Sequence, residues 1–229
     1  MNNICVLIIS SDTEYYNKME TVWLKYMNKY KPEAICFFVK CSEDIKNNVE
    51  EIGNTIYVKV KEYFLNVLYK TVVSIKYILD KYKSIKYIFR TNLSTFLNIP
   101  KYLEKIETYQ TNSVYSGILA YCDNTYYISG VCITLSRDVC EYLVLNYNKN
   151  DKKYITNFYE DVEIGRILSQ KYEPKNVNNR LDLCNDTIEV AINKIKNQGE
   201  NIYVYRCRSD DRNQDIVLLN LLCESYKIL

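Results

Sequence analysis

Apolar residues along the chain follow two alternating rhythms. Solid short runs are "ICVLIIS" (4–10), "AICFFVK" (34–40), "TIYVKV" (55–60), "KYIFR" (86–90), "VYSGILAY" (114–121), "TYYIS" (125–129) and "NIYVYRC" (201–207). Runs of this length, bounded by polar residues, predict strands. Between them, apolar positions recur at helical spacing near 14–30, 66–83, 100–109, 136–148, 161–172 and 210–228. This alternation predicts an α/β fold with a central, mostly parallel, mixed sheet flanked by helices. With five Gly, three Pro and no linker-like stretch, the 229 residues predict a single domain. The polar run "LNYNKNDKKYITN" (145–157) predicts a mobile loop.

In an open α/β sheet, ligands bind beyond the carboxyl ends of the strands, so the polar clusters found there are candidate sites. Ser10, Ser11 and Asp12 follow the first strand; the serine hydroxyls and the backbone amides suit a nucleotide, and the same residues suit a helix cap. Arg90, Thr91, Asn92 and Ser94 follow the fourth. Arg206 and Arg208 alternate along the last strand, which predicts a shared face, with Arg212 a turn later; guanidinium groups there suit bidentate phosphate contacts. The structural alternative has Ser209 capping the last helix while Asp210 and Asp211 favour its dipole. Glu160 and Asp161 open another predicted helix, where acids ordinarily stabilise the dipole.

Composition narrows the chemistry. A net charge of +2 without a basic stripe argues against a nucleic-acid partner. No apolar run approaches the roughly 18 residues of a membrane span, and the N-terminus lacks a basic leader, so the expected location is cytoplasmic. Nine cysteines without CxxC spacing, several in strand-like runs such as Cys5, Cys36 and Cys132, are expected to be reduced core residues. The chain has no histidine, which removes the commonest general base and zinc ligand. Acid–base work falls to Asp, Glu, Lys, Tyr or Cys. The excess of Tyr, 24 against six Phe, fits coding bias in an AT-rich genome rather than chemistry.

Five segments, in order, resemble glycosyltransferase family 31, the inverting β-1,3-galactosyl-, β-1,3-N-acetylglucosaminyl- and Fringe-type transferases of GT-A fold. "YNKMETVW" keeps the family's Trp23, and "EYFLNVLYKT" keeps Asn66, Lys70 and Thr71, with Glu62 for Asp and Phe64 for Tyr. "RTNLSTFLN" stands where the family has KTDDDxFxN, matching at Thr91, Phe96 and Asn98 with Arg90 for Lys. "YISGVCITLS" keeps Ser129, Gly130, Leu135 and Ser136, and "EDVEIG" matches EDVxxG at Glu160, Asp161, Val162 and Gly165. The likeness runs from residue 4 to about residue 172.

The resemblance implies transfer of a sugar from a nucleotide-sugar, a UDP-sugar by preference, to a hydroxyl of a glycan acceptor with inversion. It implies a nucleotide-sugar half near 1–98 and an acceptor and catalytic half near 99–229. Asp161 inherits the role of general base. Ser10, Ser11, Asp12, Lys70, Arg90, Thr91, Asn92, Ser94, Arg206, Arg208 and Arg212 are the expected donor-binding residues, and Ser129, Gly130 and Glu160 the expected sugar-side residues. Without a leader or span, glycan building outside the secretory pathway is expected, as in bacteria or large DNA viruses.

The chain departs from the family at the metal. GT-A enzymes usually hold Mn²⁺ or Mg²⁺ with DxD carboxylates, and here Asn92, Leu93 and Ser94 stand in those places. Neutral oxygens are poor ligands for a hard dication. Three readings follow: Lys70, Arg90, Arg206, Arg208 and Arg212 supply the positive charge; or a metal is held weakly with help from Asp182 or Asp186; or the chain is a degenerate module that binds a nucleotide-sugar or glycan without turnover. The first, with an active enzyme, is preferred because "EDV" is intact. A sugar nucleotidyltransferase is disfavoured because "SSDTEYYNK" has no Gly for a phosphate loop.

Overall fold

Alternate residues of the first strand, β1 (Ile4–Ile9), are buried against opposite layers. Ile4, Val6 and Ile8 join one apolar cluster; Cys5, Leu7 and Ile9 join the other. Such two-sided burial needs helices on both faces of the sheet. In a computed structural model, which describes residues 3–148 and 159–226, the first face is covered by α1 (Glu14–Lys29), α3 (Ile99–Glu107) and α7 (Arg212–Ser225). The second is covered by α2 (Val67–Lys81), α4 (Arg137–Asn146) and α5 (Glu160–Leu168).

The remaining strands of the main sheet are β2 (Ile35–Cys41), β3 (Val49–Ile52), β4 (Thr55–Val58), β5 (Tyr87–Asn92), β7 (Tyr115–Cys122), β8 (Thr125–Ser136) and β9 (Lys175–Asn176). Their order is β3-β4-β2-β1-β5-β8-β7-β9. The centre, β4-β2-β1-β5, is parallel, while β8 runs antiparallel to both β5 and β7. A small second sheet joins β10 (Arg180–Asp182), β11 (Val204–Arg206) and β6 (Thr95–Leu97). The α/β class and helix-flanked mixed sheet therefore match expectation.

Several boundaries do not. β5 continues past the expected end at 90 through Thr91 to Asn92, and the expected loop beyond it contains β6. β8 runs through Gly130 to Ser136 instead of stopping at 129. β3 and α6 (Ile188–Lys196) were not expected; β3 is the edge strand "VEEI", and α6 buries only Ala191, so neither carries a full apolar pattern. Arg208 lies beyond β11, so it does not alternate with Arg206 on one strand. The cap of α7 is Asp211, whose side chain accepts from the Asn213 N–H; Ser209 instead donates to Asp215. Of the expected loop, Leu145 and Asn146 belong to α4, and residues 149–158 lie outside the described residues.

All nine cysteines are thiols, outside any disulfide, as expected. Most are buried, and burial pushes the Cys36 thiol up to about 12; Cys184, however, is exposed. Among the described residues, no helix is long and apolar enough to cross a membrane.

Gly165 sets how closely α5 approaches β8. A Cβ there would meet Tyr127 Cβ at 2.5 Å and Tyr127 Cα at 3.2 Å. Gly165→Ala would gain up to about 1 kcal/mol of helix propensity but lose about 1–3 kcal/mol to overpacking against a strand that cannot retreat. The variant is expected to melt at a lower temperature than the wild type, as thermal unfolding would show; an unchanged or higher midpoint would contradict this packing.

Candidate functional site

The chain leaves β1 toward β2 on one side and later returns to β5 on the other, so the connections diverge at the carboxyl ends of these two strands. Their register aligns Ile9 with Asn92 at that edge. A crevice at such a topological switch point is the usual ligand site of an open α/β sheet. Here it is a cleft of about 620 Å³, floored by Ile9, Ser10 and Ser11 after β1 and by Arg90, Asn92, Leu93 and Ser94 on and after β5. Arg206, Arg208 and Arg212 close it from the side of the small sheet. Tyr16, Tyr63 and Phe64 line it as well.

Five cations thus reach the cleft, and three are neutralised. Lys70 Nζ lies 2.9 Å from Glu62 Oε1 and donates to the Ser10 carbonyl at 2.7 Å. Arg90 pairs with Glu160, and Arg212 Nη1 lies 2.5 Å from Asp215 Oδ2. No described carboxylate pairs with Arg206 or Arg208. The cleft therefore keeps a local surplus of two positive charges, which favours an anion.

Arg90 is the centre of a buried knot. Its Nε donates to Glu160 Oε1 at 3.1 Å and its Nη2 to Glu160 Oε2, a bidentate pair. Its Nη1 donates to Asn92 Oδ1 at 2.9 Å and to the Gly130 carbonyl. Thr71 Oγ1 also donates to Glu160. Gly130 N–H donates to Asp161 Oδ2 at 2.8 Å, and a Cβ at Gly130 would meet Arg90 Nη1 at 2.8 Å and Asp161 Oδ2 at 3.3 Å. A glycine is needed there because guanidinium and carboxylate both close on the backbone. Burial pushes the Glu160 carboxyl pKa up, with Arg90 opposing it. Four of the five Arg90 N–H groups are occupied, so it positions β5 and α5 more than it presents charge to a ligand.

The cleft thus gathers Ser10, Ser11, Lys70, Arg90, Asn92, Ser94, Arg206, Arg208 and Arg212. It leaves out others. Thr91 is buried on the opposite face of β5, donating to the Val131 carbonyl at 2.7 Å. Asp12 pairs outward with Lys40 at 2.7 Å, and the Ser10 hydroxyl turns to Glu20, so only its carbonyl side faces the cleft. Glu160 and Asp161 stand behind Arg90, with Ser129 and Gly130 beside them on β8. Tyr16 and Tyr63 were missed in the sequence; their signal is aromatic surface at a cleft mouth, Tyr63 being 51% exposed and Tyr16 half-buried beneath Arg212, and that is a tertiary property.

The residues present do not fit a divalent cation. The cleft's carboxylate is Glu62, already paired with Lys70. Asp182 pairs with Arg180 and Asp186 with Lys194, and neither lines the cleft. Among the described residues, no group of three or more His, Cys, Asp or Glu is placed to hold a metal.

No family model matches the chain, and no curated protein matches it by sequence. Solved structures do match in shape. A glycosyltransferase involved in the glycosylation of the major capsid of PBCV-1 aligns at TM-score 0.53 and 13% identity, over 95% of this chain and 99% of that one. Galactosyltransferase LgtC, in complex with donor and acceptor sugar analogs, aligns at TM-score 0.54 and 10% identity, over 96% and 95%. At such identities the likeness is one of architecture, and by that architecture the chain has the GT-A fold.

Proposed function

We propose that this chain is an inverting glycosyltransferase that moves a sugar from a nucleoside-diphosphate donor, a UDP-sugar by preference, to a glycan hydroxyl. What carries this reading is the cleft at the β1/β5 switch point of a GT-A sheet, with two guanidinium groups that no described carboxylate neutralises. The diester diphosphate of a nucleotide-sugar bears two negative charges, which matches the surplus. Tyr16, Tyr63 and Phe64 offer apolar faces for the base or ribose.

Asp161 is the proposed base. The Gly130 N–H holds its Oδ2, and the Arg90–Glu160 pair ties its helix to the cleft floor. As the base, its carboxylate would take the acceptor O–H proton as the oxygen attacks the anomeric carbon. The bond from that carbon to the β-phosphate oxygen breaks, and the electron pair leaves with the nucleoside diphosphate, where the guanidinium groups stabilise it. The mechanism and the kinship with family 31 stand or fall together.

A panel of UDP-, GDP- and dTDP-sugars assayed for nucleotide release, with the product's anomeric configuration read by NMR, tests the proposal. Release from one donor with inverted product is expected. Retention of configuration would overturn the role of Asp161, and silence across the panel would favour a module that binds a nucleotide-sugar or glycan without turnover.

A further inference from the structure

The side-chain oxygens of Asn92, Ser94 and Thr95 all accept hydrogen bonds from guanidinium groups. Arg90 Nη1 lies 2.9 Å from Asn92 Oδ1, and Arg206 Nη1 lies 3.0 Å from Ser94 Oγ and 3.1 Å from Thr95 Oγ1. The carbonyls nearby are also engaged: that of Leu93 accepts from Trp23 Nε1 at 3.1 Å, and that of Ser94 from the Cys207 N–H at 2.9 Å. A dication at the oxygens of Asn92 or Ser94 would sit within a few ångströms of a fixed positive charge and would find no carboxylate there to offset it.

We propose that Arg206 stands in the place of a divalent cation, so that a nucleoside diphosphate binds this cleft through Arg206 and Arg208 without any metal. The inference rests on the cleft being a nucleotide-sugar site. Arg206 is pre-positioned for the role: it sits opposite Thr95 in the antiparallel β11–β6 pair, and its guanidinium is anchored through Nη1 alone in the hydrogen bonds to Ser94 and Thr95. Burial pushes its pKa below the ordinary value, with Cys184 opposing the shift and the charges of Arg208 and Arg180 adding to it. Arg208 is exposed and lines the same cleft. Two planar forks can each take a pair of phosphate oxygens. When the sugar departs, they face the β-phosphate oxygen on which charge develops, the task that a metal performs elsewhere.

Isothermal titration of the full chain with UDP, GDP, dTDP and inorganic pyrophosphate, once in EDTA and once in excess Mn²⁺ or Mg²⁺, tests this. At least one nucleoside diphosphate, and pyrophosphate more weakly, should bind equally well in both conditions. Arg206→Gln should weaken that binding on the order of 10- to 100-fold, the worth of a charge-assisted hydrogen-bond pair. Arg208→Gln, at an exposed position that leaves the fold intact, should also weaken it and flatten its salt dependence. Binding that appears only with added metal would overturn the inference while leaving the nucleotide site standing. Loss of all binding in both conditions would overturn the site as well. The wild-type comparison in EDTA decides the matter even if Arg206→Gln fails to fold.

Discussion

Asp161→Asn is expected to slow sugar transfer by roughly 10²- to 10⁴-fold, the usual cost of removing a positioned general base, while nucleotide binding persists. Asparagine is the informative choice because its side-chain oxygen can still accept from the Gly130 N–H, which now meets Asp161 Oδ2 at 2.8 Å. The end of α5 should therefore stay in place, and only the proton-accepting charge is lost. Turnover of the nucleotide-sugar and thermal stabilisation by UDP, measured on the same preparation, separate the two roles. A variant that transfers sugar at the wild-type rate would remove Asp161 from the mechanism; one that loses UDP binding too would make it a positioning residue.

Arg90→Met is expected to be the most destabilising single change in the site. Arg90 and Glu160 keep only 4% and 8% of their side chains exposed, so the substitution strands a buried carboxylate. Breaking a buried pair from one side typically costs about 3–5 kcal/mol, which in a domain of this size lowers the melting temperature by roughly 6–20 °C. Replacing both partners, Arg90→Met with Glu160→Leu, should recover much of the loss, because no unpaired charge remains. The pH dependence has a definite sign. Burial already raises the Glu160 pKa, and without Arg90 only the Thr71 hydrogen bond opposes it. The folded variant then holds a proton that the unfolded chain has released, so its stability falls as pH rises above the ordinary carboxylate range. The variant should lie nearer to the wild type at pH 5 than at pH 8 in denaturant titrations. A penalty independent of pH would mean that Glu160 is not the stranded group.

The layered fold was legible because its signal is local. In β1, every residue is apolar and buried on one face or the other, and a run of that kind has few other places to go. The residues that carry the resemblance turn out to be largely structural. Trp23 donates to the Leu93 carbonyl and packs on Phe96 at 6.0 Å, and Asn98 caps α3 by accepting from the Lys101 N–H at 3.2 Å. The end of β5 was misread for a physical reason. Thr91 and Asn92 look like a loop by polarity, yet they continue the strand because β1 pairs alongside and Glu160 and the Gly130 carbonyl satisfy the guanidinium of the preceding Arg90. Those partners lie 40 and 70 residues away in sequence, beyond the reach of any local pattern. Edge strand β3 and helix α6 escaped because each buries too little apolar surface to leave a period.

The sequence alone determined the α/β class, the strand ends at which to look for a ligand and the lack of histidine, since each is a property of residue type or short-range spacing. The tertiary structure decided which cations are free. Lys70, Arg90 and Arg212 carry the same formal charge as Arg206 and Arg208, and only the fold shows that Glu62, Glu160 and Asp215 neutralise the first three. Charge available to a ligand is what remains after pairing, and pairing joins residues that the chain keeps far apart until it folds.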